Sequence, residues 1–339
     1  MPVLAAFIDT QNVNILIFKS YDEYYLYNFP YVYTKEVFSA SYSETEFYRS
    51  VFEYYCKQHK LKLSDCDVVV SGFLEPPKLE LPLKYYVSVF DVIRRISGFY
   101  PILVNNYSIF TPQGFYCWNS TDQNMTSGEM IEAEEENFYA NMAIYPHLIA
   151  SDLSTQSDID QNIMSLLGGS KLRIPDNMPL TFCGSRFTHE NMIPELNYMM
   201  ILNLIQHEGV FDIRIDKYNS SILFALLNIY DSNIHLEPVP EKEGTVISTF
   251  NSLECMVKSE IGTSQLVQLE KNRIFVLPVG SNERPEILLK SHNIDTKELK
   301  VSGGKVGLIF DTREVRGTQL DDFKVFNSGI KSFSSALGI

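Results

Sequence analysis

Basic residues are scarce in this sequence, and no long apolar run occurs in it. Lys and Arg number 28 against 42 Asp and Glu, a formal net charge of −14. A nucleic-acid partner needs its phosphates neutralised by clustered Lys and Arg. Here those residues are outnumbered and dispersed, which argues against nucleic acid and against an anionic membrane surface as partners. Residues 3–18 are apolar in two pieces, interrupted by Asp9, Asn12 and Asn14. No stretch approaches the roughly 20 residues that span a bilayer, and no secretory signal pattern is read.

Tryptophan occurs once. The five cysteines, Cys56, Cys66, Cys117, Cys183 and Cys255, are odd in number and form no CxxC pair or His/Cys cluster at metal spacing. They read as reduced thiols of a cytoplasmic protein. G-x-S-x-G, a P-loop, HExxH and G-x-G-x-x-G are all missing. The usual signatures of serine hydrolases, P-loop NTPases, zincins and dinucleotide enzymes go with them. Aromatic residues are plentiful instead, with 20 Tyr and 22 Phe, many of them before residue 140. Tyr and Phe favour strands, so a β-rich core is expected there.

The apolar pattern predicts strands over 3–9, 13–18 and 24–34. A helix follows at "SETEFYRSVFEYYCKQHKL", where Ser43 and Glu46 have capping-box spacing. "CDVVVSGFLEPP" at 66–77, a buried strand running into a Pro-stopped loop, a helix over 85–97 and a strand over 99–110 complete a β-β-β-α-β-α-β order. Residues 119–137 are polar and acidic and read as an exposed junction. Beyond them, a helix closed by Gly168-Gly169, a strand at 178–187, a helix over 189–209, a strand over 210–216 and a helix over 219–231 are expected. "EPVPEKEG" at 237–244 reads as a linker. Short strands then suggest a small β module. "RIFVLPV" and "KVGLIFD" are apolar on both faces and need cover on both. The tail, with Phe323, Phe326, Ile330 and Phe333 at helical spacing, is suited to supply one cover.

The chemistry-bearing stretch is "AAFIDTQNVNILIF" at 5–18. An apolar strand ends in Asp9, a polar turn follows, and a second apolar run begins after Asn12. Asp9-Thr10-Gln11-Asn12 resembles the strand-Asp-x-x-Asn opening of NYN-type ribonucleases. In those proteins, clustered carboxylates bind Mg²⁺ through oxygen ligands; here Asp152, Asp158 and Asp160 would join Asp9. That fold continues into a helix after Asn12, however, whereas VNILIF reads as a strand.

The alternating order resembles the actin/chaperone/sugar-kinase superfamily, ASKHA, whose ribonuclease H-like halves each open with a hairpin carrying Asp-x-Gly. "HLIASDLSTQSD" at 147–158 resembles the second hairpin, with Asp152-Leu153-Ser154 at its tip. Cys183-Gly184-Ser185 in "PLTFCGSRF" resembles the adenosine turn. Residues 179–312 further resemble the C-terminal part of glutamate mutase L-type proteins, through Gly244-Thr245-Val246 and Gly303, Gly304, Gly307, Leu308, Asp311 and Arg313 of "GGKVGLIFDTR".

The resemblance implies an α/β fold of two ribonuclease H-like halves with mixed sheets, at 1–125 and 138–236. A small β module at 244–315 and a helical tail at 316–339 would follow. It also implies a nucleotide site at Asp9, Asn12, Asp152, Ser154, Gly184 and Ser185, with Asp9 and Asp152 on a metal. Gln11 and Ser154 stand where glycines let backbone amides reach phosphate, so a degenerate site is expected. The expectation is a protein that needs no cofactor and acts by binding a protein partner, as scaffold or assembly factor. The alternatives are a Mg-dependent ATPase of the same fold, using Mg-ATP, and an NYN-type ribonuclease.

Overall fold

A computed structural model describes residues 1–9, 12–30, 44–72, 83–105, 108–117, 174–175, 178–188, 194–205, 207–238, 240–291, 294–314 and 323–338. Within them the chain forms a mixed α/β fold. The first sheet holds β1 (Val3–Ile8), β2 (Asn12–Ser20), β3 (Glu23–Pro30), β4 (Asp67–Gly72) and β5 (Leu83–Ser88), in the order β3-β2-β1-β4-β5. β1, β2 and β3 form an antiparallel meander, while β4 and β5 run parallel to β1. Asn12 opens a strand that pairs with β1 from Ile8↔Val13 to Val3↔Phe18. This hairpin removes the NYN reading, which requires a helix there.

Helix α1 (Glu44–Gln58) covers one face of this sheet. Tyr48, Phe52 and Cys56 pack with Leu4, Ala6, Val68 and Val70. The helix expected over 85–97 is shorter than its periodicity suggested. Leu83–Ser88 pairs with β4 as a strand, because Leu-Lys-Tyr-Tyr-Val suits a pleated edge, and only α2 (Val89–Ile93) is helical. The Ser88 hydroxyl accepts the Phe90 N–H and caps that helix.

From residue 100 onward the strands are β6 (Tyr100–Val104), β7 (Ser108–Thr111), β8 (Gly114–Cys117), β9 (Leu180–Cys183), β10 (Gly209–Ile215), β11 (Glu241–Ser248), β12 (Leu253–Lys258), β13 (Ser264–Leu269), β14 (Ile274–Leu277), β15 (Glu286–Ser291), β16 (Ile294–Lys300) and β17 (Gly307–Asp311). The helices are α3 (Ser185–Thr188), α4 (Pro194–Leu204), α5 (Ser220–Tyr230) and α6 (Phe323–Leu337). The second sheet has the order β14-β17-β11-β10-β9-β6-β7-β8. Its part β8-β7-β6-β9-β10 repeats the first sheet: an antiparallel meander whose first strand lies parallel to β9, with β10 parallel beyond.

The strands of the two sheets are interleaved along the chain. β6 to β8 lie before residue 125 but pair into the second sheet, through Tyr100↔Leu180 to Leu103↔Cys183. β11 pairs along β10 from Gly209↔Ser248 to Ile215↔Glu241, so the sheet runs on past residue 244. β12, β13, β15 and β16 form a third sheet, in the order β13-β12-β15-β16. The junction 119–137, the segment around Asp152 and Ser154, and the helix before Gly168 lie outside the described residues.

β14 and β17 are covered on both faces. Ile274, Val276 and Ile309 pack with Phe333 of α6 and with α4. Phe275, Leu277, Leu308 and Phe310 pack on Cys255, Val257, Ile287 and Leu289 of the third sheet. Helix α5 leaves the second sheet and covers the open face of the first, with Ile222, Leu223 and Leu226 against Ala5, Phe7 and Val69.

Where α4, β11 and α6 meet, Tyr198 stacks on Phe333 at 5.0 Å and its hydroxyl donates to Glu243 Oε2 at 2.5 Å. Burial pushes the Glu243 carboxyl above its ordinary value of 4.5. A raised carboxylate favours folding below that ordinary value, and the contribution is lost as pH rises through the folded one. Glu243→Gln fixes the neutral form. We expect its melting temperature to exceed the parent's at neutral pH and the gap to close in acid. A gap that is constant with pH would show that Glu243 does not titrate in this range.

Candidate functional site

The site forms where β1 and β9 end side by side. Asp9 follows β1, and its N–H donates to Asn12 O at 2.9 Å, closing the turn into β2. Asp9 is 2% exposed, and its carboxylate accepts the Ser185 N–H on Oδ2 at 2.6 Å. Ser185 opens α3, directly after the turn at Gly184. Gly184 has φ +103°, and a Cβ there would lie 2.2 Å from Val104 O. No other residue fits this close crossing of β6 and β9.

The neighbouring groups brace the turn. Gly184 N–H donates to Asn219 Oδ1 at 2.6 Å. Asn219 sits in the left-handed region at φ 51°, immediately before α5. Asp216 follows β10, and its carboxylate accepts from Ser220 N and Oγ at 3.0 and 2.9 Å and from Ser221 N at 2.7 Å. It is a carboxylate cap on the start of α5. Asn12 Nδ2 donates to Thr188 Oγ1, Asn14 Nδ2 donates to Asn12 Oδ1 at 3.2 Å, and the Thr188 hydroxyl donates to Ser185 O at 3.1 Å. A polar ladder thus ties β2 to α3.

Burial, and after it the carboxylates of Asp216 and Asp9, hold the Cys183 thiol well above the usual range. It is an inert core thiol, not a nucleophile. Ser71 Oγ, Ser185 Oγ, Asn219 Nδ2 and Ser221 Oγ are buried with no hydrogen-bond partner among the described residues. Among those residues no group of three or more His, Cys, Asp or Glu is placed to hold a metal.

Of the residues expected at a nucleotide site, Asp9, Asn12, Gly184 and Ser185 come together here. Asp152 and Ser154 lie outside the described residues. By strand position the second sheet's counterpart of Asp9 is Asn105, which follows β6 and is buried. Sequence reasoning missed Asp216, Asn219 and Thr188. The signal for the first was present: an Asp four residues before Ser220-Ser221 at a helix start. The residues behind the glutamate mutase L resemblance have packing tasks. A Cβ on Gly244 would lie 2.4 Å from Gly307 O, where β11 and β17 pair. Arg313 pairs with Asp311 through Nη2 at 2.9 Å and donates to Asn203 Oδ1 at 2.8 Å, all buried.

No family model and no curated protein matches the chain. Among solved structures it is similar to the Ppx/GppA family member of Aquifex aeolicus, at 12% identity over 62% of this chain and 75% of that one, with a TM-score of 0.29. It is also similar to a putative sugar kinase from Cytophaga hutchinsonii, at 9% identity over 68% and 99% of the two chains, with a TM-score of 0.28. Neither of these is a glutamate mutase L-type protein.

Removing the Asp9 carboxylate strands the buried Ser185 N–H. Hydrogen bonds to charged groups contribute about 1.5–3 kcal/mol. Asp9→Ala is therefore expected to lower the unfolding free energy by about that amount, and Asp9→Asn, which keeps an acceptor, by less. Urea denaturation measures both. Unchanged stability in Asp9→Ala would mean the bond does not brace the fold.

Proposed function

We propose that the chain is an actin-like ASKHA protein of two ribonuclease H-like halves. In this reading the nucleotide site is degenerate, and the protein acts by binding a protein partner, as scaffold or assembly factor. The strand order supports the fold reading. Central parallel strands β1 and β6 each begin an antiparallel meander, and the order recurs in both sheets.

The observation that carries the degenerate-site reading is the bond from Ser185 N–H to Asp9. In a live site of this fold the carboxylate faces a metal and the glycine turn offers amides to the nucleotide. Here those groups satisfy each other, and the Gly184 amide is taken by Asn219. Asn105 supplies no charge at the counterpart position. As arranged, these residues do not fit Mg-ATP. Tyr21, Tyr24, Tyr54 and Tyr85 are exposed; exposed tyrosine is a side chain that protein interfaces favour.

A second reading, a Mg-dependent ATPase, draws on the buried hydroxyls of Ser71, Ser185 and Ser221, which would accept or donate to a polar ligand. Thermal melting with Mg-ATP separates the two. A ligand at one hundred times its dissociation constant stabilises by about 2.7 kcal/mol, a plainly visible shift. We expect none. A shift that disappears in Asp9→Asn would establish the nucleotide reading instead.

A further inference from the structure

The third sheet ends in two unlike edges. β16 carries Asp295, Lys297, Glu298 and Lys300, and its pairing with β15 shifts register between Leu289 and Ser291. Charges and bulges of this kind keep an edge from pairing with another chain. β13, at the opposite end, reads Ser264-Gln265-Leu266-Val267-Gln268-Leu269. It has no charged residue, no proline and an unbroken register against β12. No described strand pairs with its outer side. We propose that a second copy of the chain docks on this edge, antiparallel, about a two-fold axis at Leu266.

The peptide groups are aimed for it. Ser259 N–H donates to Thr263 O at 2.8 Å, so that pair is a bonded one. Bonded and non-bonded pairs alternate along an antiparallel ladder. In the observed register, Lys258↔Ser264, Met256↔Leu266 and Glu254↔Gln268 are therefore non-bonded. The N–H and C=O groups of Ser264, Leu266 and Gln268 point away from β12, toward the open side. An axis at Leu266 sets this residue opposite its own copy and Ser264 opposite Gln268 of the second copy. Each becomes a bonded pair.

The side chains agree with that register. Leu266, Met256 and Leu288 stand in one row across the outer face. Leu266 is 53% exposed and Met256 36%. Across the axis the row continues into the same row of the second copy, and neighbouring apolar pairs across strands are stabilising. Charge selects the place. Two chains of net charge −14 repel, and the uncharged run 264–269 lets them approach with no like charges opposed. An isologous contact of this kind closes as a two-fold dimer and does not grow into a filament.

Sedimentation of the full chain tests the proposal. We expect a concentration-dependent dimer, weakened at least about tenfold by Leu266→Lys, with the melting temperature unchanged at dilutions where both chains are monomers. Gln268→Pro removes only an outward N–H and should weaken it likewise. Bonded partners have Cα atoms about 5.5 Å apart, within disulfide reach. Oxidised Leu266→Cys should therefore migrate as a covalent dimer. Gln268→Cys, whose copies lie far apart along the strands, should not. A wild-type chain that stays monomeric at its highest soluble concentration overturns the proposal. So does a dimer indifferent to Leu266→Lys, or equal cross-linking at both cysteine positions.

Discussion

Everything at the junction of the first two sheets depends on one crossing, where the turn at Gly184 passes against the backbone of Val104. The contact is too close for a side chain. Once the chain takes the positive φ that only glycine holds without strain, the next N–H is aimed across the junction. It meets the Asp9 carboxylate at the end of β1. The same turn directs the Gly184 N–H to Asn219, and Asn219 precedes α5, whose start Asp216 caps. Helix α5 then covers the first sheet. A single tight turn in the second sheet thereby fixes the helix that completes the core of the first.

The same geometry bears on chemistry. A hydrogen bond from a backbone amide to a buried carboxylate is stronger than a neutral one, and here it ties the end of β1 to the turn at Gly184. Catalytic clefts keep donors unpaired in the free protein and satisfy them with substrate. Here the Gly184 and Ser185 amides are paired, while the side-chain hydroxyls of Ser71, Ser185 and Ser221 are not paired among the described residues. Those are groups that a buried water satisfies.

Local pattern carried much of the fold. The β1–β2 hairpin, α1, β4, β10 and α5 were all legible from apolar spacing, because each signal sits within one element. The turn at Cys183-Gly184-Ser185 was legible too, since glycine between a strand and a helix has few other uses. What failed was long-range. "FYPILVNNYSIF" gives the same strand signal whichever sheet it joins, and its partner at Leu180–Cys183 lies far along the chain. "LKYYVS" has helical spacing, yet its β-branched and aromatic residues pair with β4. Prolines and charges at 237–244 marked a real break in periodicity. β11 nonetheless pairs back along β10, and nothing in a linker's composition encodes that.

These misplacements share a physical cause: the cores are interleaved along the chain. The face of β1 and β4 is closed by α5, from residues 220–230, while β14 and β17 are closed by α6, from residues 323–337. A chain cut near residue 125 would leave Ala5, Phe7 and Val69 without their cover. Cut before α6, it would uncover Ile274 and Val276. Apolar surface left open in this way costs about 25 cal/mol per Å², which over several such side chains rivals the net stability of a domain. Those two cores therefore draw on segments far apart along the chain. The core under α1, by contrast, draws only on residues 4–86 and needs no such distant cover.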